Sequence, residues 1–154
     1  TDVPNMNGRS VPLQYRFMVA MQGALGVGAN LNKWSPAEEA LATRLIALDK
    51  QIRATVQGGD LHRLRSPREG DVTANQYVAA DGKQAVLFAF RHSQEYSLPA
   101  PTLALQGLDA KAIYSVKPWN AAAQEWSGAY LMQRGLDLDL KGDFDSTVIV
   151  LQKQ

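Results

Sequence analysis

Cysteine is absent from the 154 residues, which excludes disulfides and thiolate chemistry and says nothing about compartment. Long apolar runs are absent as well. The longest near the start is Phe17 to Met21, far short of a membrane span, so no membrane partner is expected. There is no excess of either charge sign: sixteen basic and fifteen acidic residues give a formal charge of +1. Six basic and four acidic residues precede Gly59, and ten and eleven follow it. Neither part is polarised, which argues against nucleic acid as a partner. Histidine is scarce. His62 and His92 have no carboxylate or second histidine at metal-ligand spacing, so neither a metal nor a cofactor is expected. No signal peptide is visible; the chain opens at Thr1-Asp2-Val3-Pro4 without methionine, and its natural beginning is expected upstream. The compartment is therefore not legible.

What is present is the composition of a globular protein, 45% hydrophobic and 20% charged. A chain of this length buries about two-thirds of the surface its unfolded form exposes. Two unlike pieces meet at Gly58-Gly59. In the first, Ser10 and Pro12 suit a helix start, and Leu13 to Gln22 contains no breaker before Gly23. From Ala24 to Leu31 the period becomes two. Leu25, Val27, Ala29 and Leu31 share one face and glycines recur on the other, the pattern of a strand in a crowded barrel wall. Ser35-Pro36-Ala37-Glu38 is a capping box with proline at the first helical position. Leu41, Leu45, Leu48, Ile52 and Val56 then form one apolar stripe that predicts a helix to Gln57.

From Asp60 onwards the signals are those of β-structure. Val72 to Ala80 and Lys83 to His92 flank Asp81-Gly82, a two-residue hairpin signal. Thr102 to Gln106 and Ala112 to Pro118 read as shorter strands. Leu136, Leu138 and Leu140 alternate with Asp137, Asp139 and Lys141, and Thr147 to Leu151 is β-branched. About seven such strands predict an antiparallel sandwich. The fold class expected is α+β: residues 1–59 read as the end of an alternating barrel, which the resemblance given below makes the last helix, strand and helix of a (β/α)₈ barrel, followed by a β-sandwich, residues 60–154.

Convergent chemistry is hard to find. Asp137 and Asp139 share one strand face, with Asp143 and Asp145 close behind. A carboxylate pair that cleaves a glycoside flanks the bond from opposite sides, roughly 5–5.5 Å apart in retaining enzymes, which neighbours on one face do not do. They read as a solvated face and a turn. Ser10, Ser35 and Ser66 lack the setting of a nucleophile elbow. Gly23-Ala24-Leu25-Gly26-Val27-Gly28 lies inside the predicted strand, not in a phosphate-binding loop. Arg63, Arg65 and Arg68 are too few for a nucleic-acid groove. The substrate-binding candidates are Asn30, Trp34, Trp119 and Trp126. Trp119 and Trp126 bracket Asn120 to Glu125 and suit either a paired sugar-stacking platform or core anchoring. Trp34 either points toward a pocket at the end of the Ala24–Leu31 strand or staples the following helix.

Longer motifs add a resemblance. Asp2-Val3-Pro4-Asn5, Gly8-Arg9, Pro12-Leu13 and Ala20-Met21-Gln22-Gly23-Ala24-Leu25-Gly26 resemble glycoside hydrolase family 36, the α-galactosidases or melibiases. Ile52-Arg53, Val56-Gln57, Gly59-Asp60-Leu61-His62-Arg63-Leu64 and Ser66-Pro67 continue it. Gly107-Leu108-Asp109, Ser127-Gly128 and Gly142-Asp143-Phe144 follow in the second piece. The resemblance implies a retaining α-galactosidase, a homo-oligomer acting on galactosides, of which this chain is the carboxy-terminal portion. It also implies that the catalytic aspartates lie on earlier barrel strands, so none of this chain's residues is assigned a catalytic role. Asn30 to Trp34 is then the stretch nearest the pocket rim, at the carboxyl end of a barrel strand. Residues 1–59, short of their barrel, are expected to pack against the sandwich or, in preference, against a second copy. The remaining alternative is a carbohydrate-binding or subunit-contact module.

Overall fold

A computed structural model describes residues 8–94, 96 and 98–154. The Asp2-Val3-Pro4-Asn5 motif lies outside them. The described elements run α1 (Leu13–Ala20), a 3₁₀ turn (Leu31–Lys33), α2 (Pro36–Gly58), β1 (Asp60–Arg65), β2 (Val72–Val78), β3 (Gln84–Arg91), β4 (Ile113–Pro118), β5 (Gln124–Ser127), α3 (Gly128–Gln133) and β6 (Asp145–Lys153). All six strands belong to one antiparallel sheet of order β1-β2-β3-β6-β4-β5.

The expected two-sheet sandwich is corrected to one sheet with unlike covers. Leu136 to Lys141 keeps its alternation, with Leu138 and Leu140 buried, but makes only one bridge, Leu103 to Leu136. Thr102 to Gln106, also expected as a strand, shares that single bridge. Both segments lie over the sheet as irregular chain, their leucines joining Leu108 and Leu131 against Ala85, Leu87, Ile149 and Leu151. Gly135 makes the approach possible: its φ is +79°, and a Cβ there would sit 2.3 Å from the Leu103 carbonyl oxygen. The Asp81-Gly82 hairpin forms, but through residues 79–83, because Asp81 caps the Lys83 amide and Gly82 bonds back to Ala79.

Helices cover the other face. Phe17, Met18 and Met21 of the first helical segment and Leu45, Ile52 and Val56 of α2 meet Val86, Phe88, Phe90, Val148 and Val150. Each buried apolar side chain contributes roughly 1.5–3 kcal/mol. Of the two coverings expected for residues 1–59, contact with the β-region is the one observed. The capping box is present, with Ser35 Oγ accepting from Glu38 N and Glu38 Oε2 from Ser35 N. Gly59 ends α2 where a Cβ would stand 2.4 Å from the Val78 carbonyl oxygen, so no larger residue lets β1 leave the helix at this angle.

The strand expected over Ala24–Leu31 is absent from the described structure. Ala24 to Ala29 make no backbone hydrogen bond among the described residues. A strand exists only through its neighbours, and among the described residues no strand lies beside this segment. Leu31 instead opens the 3₁₀ turn.

Candidate functional site

Asn30 and Trp34 bound the expected rim stretch. Asn30 is exposed and caps the 3₁₀ turn, its Oδ1 accepting from Asn32 N at 3.2 Å. Trp34 is half-buried and meets Phe17 edge-on, ring centroids 6.3 Å apart. Its indole therefore anchors the approach to α2, and also lines a cavity of about 390 Å³ with Leu13, Phe17, Val19, Leu25 and Val27. Asn30 does not line that cavity. Among the described residues the lining contains two cations, Arg9 and Arg16, one phenol, Tyr15, and no carboxylate, so it is an apolar surface edged by positive charge.

Trp119 and Trp126 are not brought together. Trp126, in β5, stands opposite Tyr114 and packs on the cluster beneath the 103–108 segment, stacked on Tyr130 at 4.5 Å. Trp119 packs on the helical face, its Nε1 donating to Gln14 Oε1 at 3.0 Å, with the Arg44 guanidinium 4.7 Å above its ring. The indoles lie on opposite faces of the sheet. A coplanar two-tryptophan platform is therefore excluded, because pairing of β5 with β4 holds Trp126 on the face away from Trp119.

The aspartates serve their own surroundings. Asp137 accepts from Thr102 Oγ1 and pairs with Arg134 at 3.1 Å, and those hydrogen bonds hold its carboxyl below the usual carboxylate range. Asp139 pairs with Lys141 at 2.9 Å. Asp143 accepts from Gln94 N, and Asp145 from Lys141 N and Ser146 N. His62 packs its ring against Gly107, and His92 Nε2 lies 3.0 Å from the Gly70 carbonyl oxygen. Among the described residues no three carboxylate or imidazole groups form a metal-holding set.

Two buried charges escaped the sequence reading. Arg91 is 1% exposed and ties Asp71 (2.7 Å) to the carbonyls of Leu140 and Leu98. Its position at the end of an otherwise apolar strand was the available signal. Asp49, 8% exposed, occupies the stripe between Leu45 and Ile52. Burial pushes its carboxyl above the usual range, and Arg53 pulls it partly back. The leucine stripe masked it.

With this geometry in place, comparison with known proteins is informative. Residues 72–151 match the glycosyl hydrolase family 36 C-terminal domain. The chain is 40% identical over 154 residues to the probable α-galactosidase C of Aspergillus flavus, covering 99% of this chain and 20% of that protein. It is 34% identical over 146 residues to the α-galactosidase AgaA of Geobacillus stearothermophilus, covering 94% of this chain and 20% of AgaA. On a crystal structure of AgaA it superposes with a TM-score of 0.90 and 32% identity, over 99% of this chain and 21% of that one. The chain thus spans about a fifth of the length of these relatives. With the carboxy-terminal domain match covering more than half its residues, the chain belongs to glycoside hydrolase family 36.

Proposed function

We propose that the whole protein is a retaining α-galactosidase that hydrolyses terminal α-D-galactosyl residues, with this chain as its carboxy-terminal portion. The observation that carries the reading is end-to-end agreement: 99% of the chain aligns with a fifth of a probable α-galactosidase at 40% identity. Residues 1–59 supply the last helix, strand and helix of a (β/α)₈ barrel, and residues 60–154 form the β-domain behind it. The Ala24–Ala29 stretch, which makes no backbone–backbone hydrogen bond among the described residues, supports this. Its alternating pattern suits a strand, and Val27 and Leu31 are left 44% and 53% exposed. Neighbouring barrel strands would pair its backbone and cover those side chains.

Glycoside hydrolysis needs two carboxylates on opposite sides of the bond. The aspartates of the 137–145 region are committed to local ion pairs and turns. The reading therefore takes the catalytic pair from other strands of the barrel and gives this chain no catalytic residue. The galactoside, and a homo-oligomeric partner resolvable by light scattering, belong to the whole protein. The test compares this chain with the whole-length protein on an aryl α-galactoside. The chain alone is expected to show no turnover above buffer, and the whole-length protein to release α-galactose first, seen by proton NMR before mutarotation. Turnover by the chain, surviving repurification, contradicts its inert role. A β-product or no hydrolysis by the whole-length protein contradicts the assigned reaction.

A further inference from the structure

The helical face of the sheet is only partly covered. α2 lies over β2 and β3 and α1 over β6, while among the described residues no helix is centred over β4 and β5 on this side. Strands stand about 4.8 Å apart and packed helices about 8–10 Å apart, so one helix covers roughly two strands. The outer third of the sheet has room for one more.

Alternation along β4 shows what that third presents. Tyr114 and Val116 join the cluster on the far face, with Trp126 of β5 against it. Ile113, Ser115 and Lys117 therefore face the helical side, opposite Ser127 and Glu125 of β5. Ile113 is 43% exposed there. Beside it runs a groove of about 450 Å³, to which α2 contributes Arg44 and Leu48 and β4 contributes Lys117, over an apolar base of Val148 and Val150. The charge is one-sided. Arg44 and Lys117 line the groove and no carboxylate does; Glu125, on the edge strand, lies outside the lining. Arg44 is engaged by neutral groups, Asn120 Oδ1 at 3.0 Å and the Trp119 ring. Neither cation enters an ion pair among the described residues.

We propose that this surface seats an amphipathic helix with an acidic flank, supplied by the whole-length protein from outside these 154 residues. Its apolar stripe packs on Ile113 and Leu48, and its carboxylates meet Lys117 and Arg44. A basic helix is disfavoured by the same two cations. The source follows from length. The chain spans about a fifth of its relatives, and a helix on the same polypeptide reaches the surface at a far higher effective concentration than a free partner. That source rests on the reading of this chain as a carboxy-terminal portion, while the seat itself rests on the uncovered third of the sheet.

The experiment treats the whole-length protein with a water-soluble carbodiimide, which joins an amine to a carboxylate in contact with it, and maps the products by mass spectrometry. Lys117 is expected to join an Asp or Glu outside the 154 residues and within one polypeptide. Acetylation of Lys117 should also be at least tenfold slower in the whole-length protein than in the 154-residue chain. Ile113→Asp changes an exposed position, removing an apolar anchor and adding a like charge. In the whole-length protein it should bring Lys117 acetylation to within threefold of the rate in the same variant of the chain. The seat is overturned if Lys117 forms no crosslink beyond the 154 residues, or if a mixture of labelled and unlabelled protein shows that its crosslinks join two copies. Equal acetylation in protein and chain, or protection that survives Ile113→Asp, overturns it as well. Hydrolysis of the aryl α-galactoside is measured on the same sample. Activity without the Lys117 crosslink overturns the seat alone, and the crosslink without activity overturns the proposed reaction and leaves the seat standing.

Discussion

Replacing Leu45 with Asp is expected to unfold the chain, not merely to change how copies of it associate. Leu45 is fully buried in the cluster that joins α1 and α2 to β3 and β6. Losing the side chain alone costs about 2–5 kcal/mol. The carboxylate adds a further cost of several kcal/mol for an unpaired charge in an apolar site, or for holding it protonated at neutral pH. Together these approach the whole stability of an ordinary domain, about 5–15 kcal/mol. Circular dichroism at neutral pH should show loss of the helical signal and no cooperative thermal transition. A folded variant melting within a few degrees of the parent would mean that the helices do not depend on this contact. It would also return residues 1–59 to the alternative of pairing with a second copy.

Arg91→Ala is the second large effect, expected to cost about 3–5 kcal/mol. The guanidinium is 1% exposed and satisfies three acceptors: the Asp71 carboxylate, the Leu140 carbonyl and the Leu98 carbonyl. These tie the end of β3 to the chain before β2, to the segment crossing the sheet and to Leu98. Removing the arginine strands a partly buried carboxylate and the Leu140 carbonyl and leaves a cavity, while the Leu98 carbonyl keeps Gln94 Nε2 as a donor. Arg91→Lys should recover only part of the loss, since one ammonium cannot reproduce the planar fork that reaches all three. Urea unfolding followed by tryptophan fluorescence reads the difference. A midpoint shift equivalent to less than about 1 kcal/mol for Arg91→Ala would show that water replaces these bonds freely.

Much of the fold was legible because local chemistry and tertiary structure agree. Ser35, Pro36 and Glu38 start α2 through hydrogen bonds made within one turn, and the stripe through Leu45, Ile52 and Val56 is the face it buries. The even burial of β3 on both faces explains why Gln84 to Arg91 reads as a nearly continuous apolar run. The failures arise where structure depends on distant partners. Leu136 to Lys141 has a strand's alternation, yet its main chain crosses the sheet and pairs only at Leu103, and alternation reports burial of one side without reporting the ladder. Ala24 to Leu31 has the pattern, but among the described residues no strand pairs with Ala24 to Ala29.

The site was legible in part for the same reason. Trp119 was a candidate because of its residue type, but its separation from Trp126 follows from the β4–β5 pairing, which the short Gln124–Ser127 segment hardly signals.

The proposed barrel role makes Ala24–Leu31 a strand whose pairing neighbours belong to the rest of the whole-length protein. Amide hydrogen exchange on the chain alone and on the whole-length protein measures that directly. In the chain, the amides of Ala24 to Ala29 should exchange at close to unprotected rates, while those of β3 and β6 are strongly protected. In the whole-length protein, alternate amides of the same segment should slow by at least a hundredfold as two flanking strands pair with it. Equal, fast exchange at Ala24 to Ala29 in both proteins would contradict the barrel assignment of residues 1–59.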